Sequence, residues 1–225
     1  KKPQTGAIDV DGCKPYDRLP SFLSDLFYLS DEVPAVNMKA EEYAVTYGKF
    51  WEGFDLGKFN EIMEVLENDS QQKMDKMSFG QLKKTYIAFA LACNTKHLFM
   101  DEPTNGLDIP SKAQFRKAVT KYTREDSIIL ISTHQVRDLE NIIDPIIILD
   151  KQDVLLNATI AEISEKLYFD YSTEKVEDAL YSEMIPGGNI QVYMNQTGED
   201  CKVNIEALFN TVLKHKELIK GIFNK

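Results

Sequence analysis

One stretch constrains the fold more than any other. The apolar run Leu98-Phe99-Met100 leads straight into Asp101-Glu102-Pro103. A short apolar run that ends in two adjacent carboxylates fits the carboxyl end of a buried sheet strand, where open α/β sheets place their ligands. Two carboxylates side by side are costly there unless a cation or a proton partner offsets them. A second run, Ser127-Ile128-Ile129-Leu130-Ile131, ends in Ser132-Thr133-His134. Its unbroken apolar character predicts a parallel strand buried on both faces. His97, at the start of the first run, reads as a tolerated strand-edge residue.

Two further stretches frame these strands. Ser78 in Met77-Ser78-Phe79-Gly80-Gln81 precedes a helix predicted over 79–94, and Ser78 with Gln81 fits a capping box. A Ser-capped helix with Gly80 in its first turn presents free N–H groups and the positive end of its dipole, which suits an anion. A capping box by itself needs no ligand. Asn105-Gly106-Leu107-Asp108 reads as a turn into another helix, with Pro110 in its first turn and Phe115, Val119 and Tyr122 on its buried face.

In this order the motifs resemble those of the ATP-binding-cassette (ABC) ATPases. Met77-Ser78-Phe79-Gly80-Gln81 is similar to the signature motif, with Phe79 in place of a glycine. The strand to Asp101-Glu102 is similar to Walker B, Asn105-Gly106-Leu107-Asp108 to the D-loop and His134 to the switch histidine. The resemblance covers roughly residues 1–165. It implies an α/β, P-loop NTPase-like fold with a mainly parallel central sheet. It also implies roles. Asp101 holds Mg²⁺ through water, Glu102 polarises the attacking water, and His134 senses the γ-phosphate of ATP. Ser78, Phe79, Gly80 and Gln81 face nucleotide held by an opposite subunit, and Asp108 lies in the loop that crosses a dimer interface. Asp31, in Ser30-Asp31-Glu32 after the apolar run Leu26-Phe27-Tyr28-Leu29, stands where the family has its Q-loop glutamine. There it reads either as a carboxylate that reaches Mg²⁺ or the water, or as a solvated loop acid.

The family's Walker A loop, Gly-x-x-x-x-Gly-Lys-[Ser/Thr], has no counterpart in the 225 residues. Gly53-Phe54-Asp55-Leu56-Gly57-Lys58-Phe59 comes nearest. It is one residue short, puts Phe59 where Mg²⁺ needs a hydroxyl, and reads as a loop between helices. The chain therefore looks like an ABC ATPase without its opening strands and phosphate loop, and is expected to be inactive alone.

The remaining sequence fills in the architecture. A turn and strand are predicted over 3–12. Residues 38–76 read as helices, with Asp55 as a cap and Phe59, Ile62, Met63 and Leu66 on one buried stripe. The aromatics Tyr43, Tyr47 and Trp51 suit either a core or an interface. A helix is predicted over 135–143, then strands over 146–149 and 154–156, and a Thr159-x-x-Glu162 cap. The tail predicts a strand at 168–171, a hairpin about Pro186-Gly187-Gly188-Asn189, and one amphipathic helix from Ile205 to about Phe223. The organisation expected is a partial ATPase core at 1–31 and 95–166, a helical subdomain at 32–94, and a small α+β accessory region at 167–225.

Composition narrows the partners. A net charge of −10 argues against nucleic acid, whose backbone needs a basic face. Cys13, Cys93 and Cys201 have no metal-ligand spacing and read as reduced thiols. No signal peptide or apolar span is evident. The implied function is the nucleotide-binding, ATP-hydrolysing subunit of an ABC transporter. It would form a head-to-tail dimer with a second ATPase subunit and dock on a membrane-spanning subunit at the cytoplasmic face of the cell membrane. Two other readings are a non-catalytic ABC-like interaction module and a soluble ABC ATPase outside transport.

Overall fold

The structure, a computed structural model, describes residue 3, residues 5–140 and residues 142–223. It divides into two compact units, Lys1–Asp138 and Leu139–Lys225. The division falls inside the stretch 95–166.

The first unit is built on three parallel strands, β1 (Leu26–Leu29), β2 (His97–Asp101) and β3 (Ile128–Ser132), in the order β1-β2-β3. The central strand is the one that ends in the carboxylates, and Asp101 pairs in register with Ser132. Its α-helices among the described residues are α1 (Pro20–Leu23), α2 (Ala40–Gly48), α3 (Leu56–Val65), α4 (Phe79–Ala92) and α5 (Ile109–Tyr122). Alternation within each strand sends Phe27, Leu29, Leu98 and Met100 to one face, where they are buried.

The other face corrects the expectation for β3. Tyr28, Ile128 and Leu130 are 57%, 53% and 51% exposed. The strand alternates rather than being buried on both sides. Its apolar composition suits two buried faces, but Ile129 and Ile131 are only half-buried and the opposite face is exposed among the described residues. His97 also departs from its reading: it lies in the central strand and is buried, with Nε2 3.3 Å from the Asp11 carboxylate.

The helices form where the sequence places them. Asp55 caps α3, accepting the Lys58 N–H at 2.9 Å, and Phe59, Ile62, Met63 and Leu66 are all buried. In α4 every residue from Tyr86 to Ala92 is buried. The aromatic stripe splits in two. Phe89 is the hub of an inner cluster, with ring centroids 5.1 Å from Tyr43, 5.6 Å from Trp51 and 5.7 Å from Phe27. The Trp51 indole N–H donates to the Leu26 carbonyl at 3.0 Å. Val45, Tyr47 and Phe50 point outward and are exposed.

Other expectations are corrected. The strand predicted over 7–10 is only an isolated bridge between Val10 and Cys13, and the turn read at its start includes Gln4, outside the described residues. The helix predicted over 135–143 is a single 3-10 turn, Val136–Asp138, and Asn141 lies outside the described residues. Val136, Leu139 and Ile143 have helical spacing, but Pro145 blocks propagation on the carboxyl side and so short a segment does not hold a helix by propensity alone.

The second unit opens with an antiparallel hairpin, β4 (Ile146–Asp150) and β5 (Asp153–Ala158). Then come α6 (Ile160–Lys166), capped by the Thr159 and Glu162 box, and an antiparallel sheet of β6 (Leu167–Ser172), β7 (Tyr181–Ile185) and β8 (Gly188–Met194) in the order β6-β8-β7. Gly187 supplies the left-handed φ of 92° that the hairpin turn requires. The expected long tail helix is two helices, α7 (Ile205–Lys214) and α8 (Lys216–Phe223). At the break the His215 ring donates from Nε2 to the Leu180 carbonyl at 2.7 Å. No described helix is long and apolar enough to cross a membrane.

The Phe89 cluster gives a direct test. Phe89→Ala is expected to destabilise the first unit by about 3–5 kcal/mol. Trp51 is the lone tryptophan and touches Phe89, so its emission during urea unfolding reads the loss.

Candidate nucleotide site

Asp101, Glu102, His134 and Asp31 come from the carboxyl ends of the parallel strands and the segments that follow them. Asp101 closes β2. Its Oδ1 accepts the Ser132 hydroxyl at 2.6 Å, and its Oδ2 lies 3.4 Å from the Tyr28 hydroxyl. Glu102 follows in a left-handed conformation, φ 43°, which is uncommon for a residue with a side chain and is held here by its surroundings. The enforcement is visible. The Glu102 backbone N–H donates to the Ser132 carbonyl at 2.9 Å. Its carboxylate takes the Thr133 hydroxyl at 2.8 Å, the His134 N–H at 2.9 Å and the His134 Nδ1 at 2.7 Å. The carboxylate is 18% exposed and the imidazole 73%, so the pair presents a wet imidazole on a sheltered acid.

The helix α4 brings in Ser78. The box closes in both directions: the Gln81 N–H donates to Ser78 Oγ at 3.3 Å, and the Ser78 N–H to Gln81 Oε1 at 2.9 Å. This end of the helix rests on the loop after β2. A Cβ on Gly80 would lie 3.1 Å from the Gly106 carbonyl, and a Cβ on Gly106 would collide with the Phe79 ring at 2.3 Å. Gly106 also has a φ of 77°, so both space and conformation demand glycine there. Asp108 ends the loop by capping α5, accepting the Ser111 N–H at 3.0 Å. Hydrogen bonds from Ser111 hold the Asp108 carboxyl below the usual carboxylate range.

Asp31 faces inward. Asn105 Nδ2 donates to its two oxygens at 3.1 and 3.3 Å, and the Lys83 ammonium lies 3.2 Å from Oδ1. The Asn105 amide first, then Lys83, hold this carboxyl below its ordinary range. The structure thus brings Asp101, Glu102 and His134 together, sets Ser78, Phe79, Gly80 and Gln81 beside the loop that ends at Asp108, and joins Asp31 to that loop. Sequence reasoning missed Tyr28, Lys83, Asn105, Ser132 and Thr133 as supporting groups. A lysine inside the apolar run of α4 was the one available signal.

The stretch Gly53 to Phe59 does not cradle phosphate. Asp55 occupies the N-terminus of α3, putting a carboxylate where an anion would bind. Lys58 donates to Asn94 Oδ1 at 3.0 Å, and a Cβ on Gly53 would lie 3.0 Å from the Cys93 carbonyl. For Mg²⁺ the chemistry of Asp101 fits, since that ion takes one or two carboxylates with waters and phosphate oxygens completing the shell. Among the described residues no group of three or more His, Cys, Asp or Glu side chains is arranged to hold a metal by itself.

No family model matches the chain. The bacitracin transport ATP-binding protein of Bacillus licheniformis is 25% identical over 200 residues, covering 87% of this chain and 62% of that protein. Among solved structures, an ATP-binding subunit of an ABC transporter superposes with a TM-score of 0.62 at 20% identity, over 72% of this chain and 70% of that one. An ATP-binding cassette solved as a dimer in a post-hydrolysis state, bound to ADP and Pi, superposes with a TM-score of 0.52 at 22% identity, over 62% of this chain and 67% of that one. In sequence and in fold the chain is similar to the ATP-binding subunits of ABC transporters. The chain spans 62% of the bacitracin protein and a smaller share of several other curated relatives. The structural likeness establishes the P-loop NTPase-like α/β fold.

The lowered Asp31 carboxyl sets a pH dependence for the cassette. The fold favours its charged form, so the stabilisation is fully present above the ordinary value of 3.8 and is lost as pH falls through the lower folded value. Asp31→Asn is expected to flatten the acid side of the stability profile, read as the urea midpoint from about pH 5 to about pH 2. An unchanged slope would show that Asp31 carries none of it.

Proposed function

We propose that the chain is the nucleotide-binding part of an ABC transporter subunit that hydrolyses ATP and transmits the work to a membrane partner. The observation that carries this reading is the clamp on Glu102. An acid held in a strained backbone conformation, with three donors on its carboxylate, sits one residue after Asp101 at the end of the central parallel strand.

In this reading the Glu102 carboxylate orients the attacking water and takes its proton. The His134 imidazole fixes that carboxylate and reaches the γ-phosphate, where it responds to loss of the phosphoryl group. Asp101 would hold Mg²⁺, which supplies charge neutralisation on the phosphates. The N-terminus of α4, with Ser78 and Gly80, faces nucleotide on an opposite subunit in a head-to-tail dimer, with Phe79, Gln81 and Asp108 beside it. Asp31 belongs to the same site. Residues 32–94 form the helical subdomain, and its exposed Val45, Tyr47 and Phe50 supply an apolar surface for a membrane-spanning subunit at the inner face of the membrane. The sheet parts at 1–31 and 95–166 form the ATPase core, and 167–225 an accessory region.

The phosphate cradle and its lysine contribute most of the affinity for nucleotide, and the 225 residues contain none. This chain alone is therefore expected to bind Mg-ATP no tighter than the millimolar range in equilibrium dialysis, with Glu102→Gln alongside to block turnover. Tight binding would overturn the account of the cradle. Joined to the strand, phosphate loop and helix of a relative, the chain is expected to hydrolyse ATP, and Glu102→Gln to slow turnover by roughly 10²–10⁴-fold. A chimera that binds Mg-ATP without hydrolysis would instead favour a non-catalytic interaction module.

A further inference from the structure

Lys83 is the residue that the cassette reading leaves unexplained. It sits in α4 among Leu82, Thr85, Tyr86 and Ile87, all buried, and its own side chain is fully buried. Its ammonium meets three oxygens: the Asp31 carbonyl at 2.7 Å, Asp31 Oδ1 at 3.2 Å and the Ser30 carbonyl at 3.3 Å. Three donors face three acceptors, so the buried charge is satisfied. An apolar side chain at this position would suit the surrounding helix face without the desolvation of an ammonium, and buried ion pairs are poor sources of net stability. The arrangement needs another reason.

The reason lies on the far side of Asp31. Its two oxygens also accept from the Asn105 side chain. The Asn105 backbone N–H in turn donates to the Glu102 carbonyl at 3.1 Å. One carboxylate after β1 therefore connects α4 to the turn that begins at Glu102. We propose that Asp31, Lys83 and Asn105 form a positioning junction that locks the loop 103–108 to α4 and keeps the Glu102 turn in its left-handed geometry. Asp31 acts there as a pin between two loops. The junction rests on the proposed function only for its purpose, the alignment of Glu102; its geometry stands without ATP chemistry.

The experiment is amide hydrogen exchange and NMR on the 225-residue chain, comparing Asn105→Ala, Asp31→Ala, Asp31→Asn and Lys83→Met. With Asn105→Ala and Asp31→Ala, amides of 104–108 are expected to exchange roughly 10-fold faster, the equivalent of about one net hydrogen bond. Amides of α3 stay unchanged. The His134 amide resonance, which reports the bond to Glu102 Oε1, moves upfield although His134 touches neither substituted residue. Asp31→Asn keeps an acceptor oxygen and retains most of the protection. Should Lys83→Met fail to fold, Asn105→Ala decides alone, because it truncates a partly exposed loop residue. Unchanged exchange at 104–108 with an unmoved His134 amide overturns the proposal, as does equal loss across α3, which would mark a plain stability effect. Failure of the ATP chimera with this loosening intact removes the function and leaves the junction.

Discussion

The structure of the site depends on how the chain leaves β2. Two consecutive carboxylates cannot both follow a strand into solvent and stay close to one ligand. The left-handed turn at Glu102 resolves this by diverting the second acid toward the end of β3. There the Thr133 hydroxyl, the His134 N–H and the imidazole all donate to it. A left-handed non-glycine residue costs about 1–3 kcal/mol, and three donors on one carboxylate are of the size to offset that. The parallel pairing of β2 with β3 makes the geometry available, because it places Ser132 directly beside Asp101 and delivers the next two residues within reach of Glu102.

This dependence on adjacent strands explains which parts were legible in the sequence. Capping boxes at Ser78 and Thr159 and the buried stripe of α3 are local patterns, and the structure forms them where they were read. The strand ending in Asp101 was legible for the same reason. What failed depends on distant partners. The break at His215 follows from a carbonyl at Leu180, while the apolar pattern of α7 and α8 runs on across it. The one-sided burial of β3 depends on what packs against each face, which an apolar run does not specify. Nothing next to Lys83 in the sequence marks its role, because its partner Asp31 lies 52 residues earlier in the chain. In one dimension it reads as a surface charge on a helix.

The same distinction applies to Asp31. Its position alone left it as either a ligand or a loop acid. The structure adds that both its oxygens are already engaged from inside the fold. A carboxylate so engaged can still carry negative charge toward solvent, but it is not free to swing. Its value to the site then lies in fixing the loop and in a constant local field, rather than in a change of ligation.

Phe79 and the loop after β2 carry the argument one step further. The Phe79 ring lies on Gly106, and Gly80 approaches the Gly106 carbonyl so closely that a methyl group would displace it. The N-terminus of α4 and the loop that ends at Asp108 therefore form one continuous surface. That surface leaves Phe79 49% and Ile109 85% exposed. Apolar groups around a free helix N-terminus suit a partner that buries the rim while placing an anion at the centre. The head-to-tail dimer proposed above would meet both demands with one interface: a nucleotide on the partner would face the helix end, and the partner's protein surface would cover the two side chains. Either demand alone has many solutions, but few partners meet both within the span of one loop and one helix end.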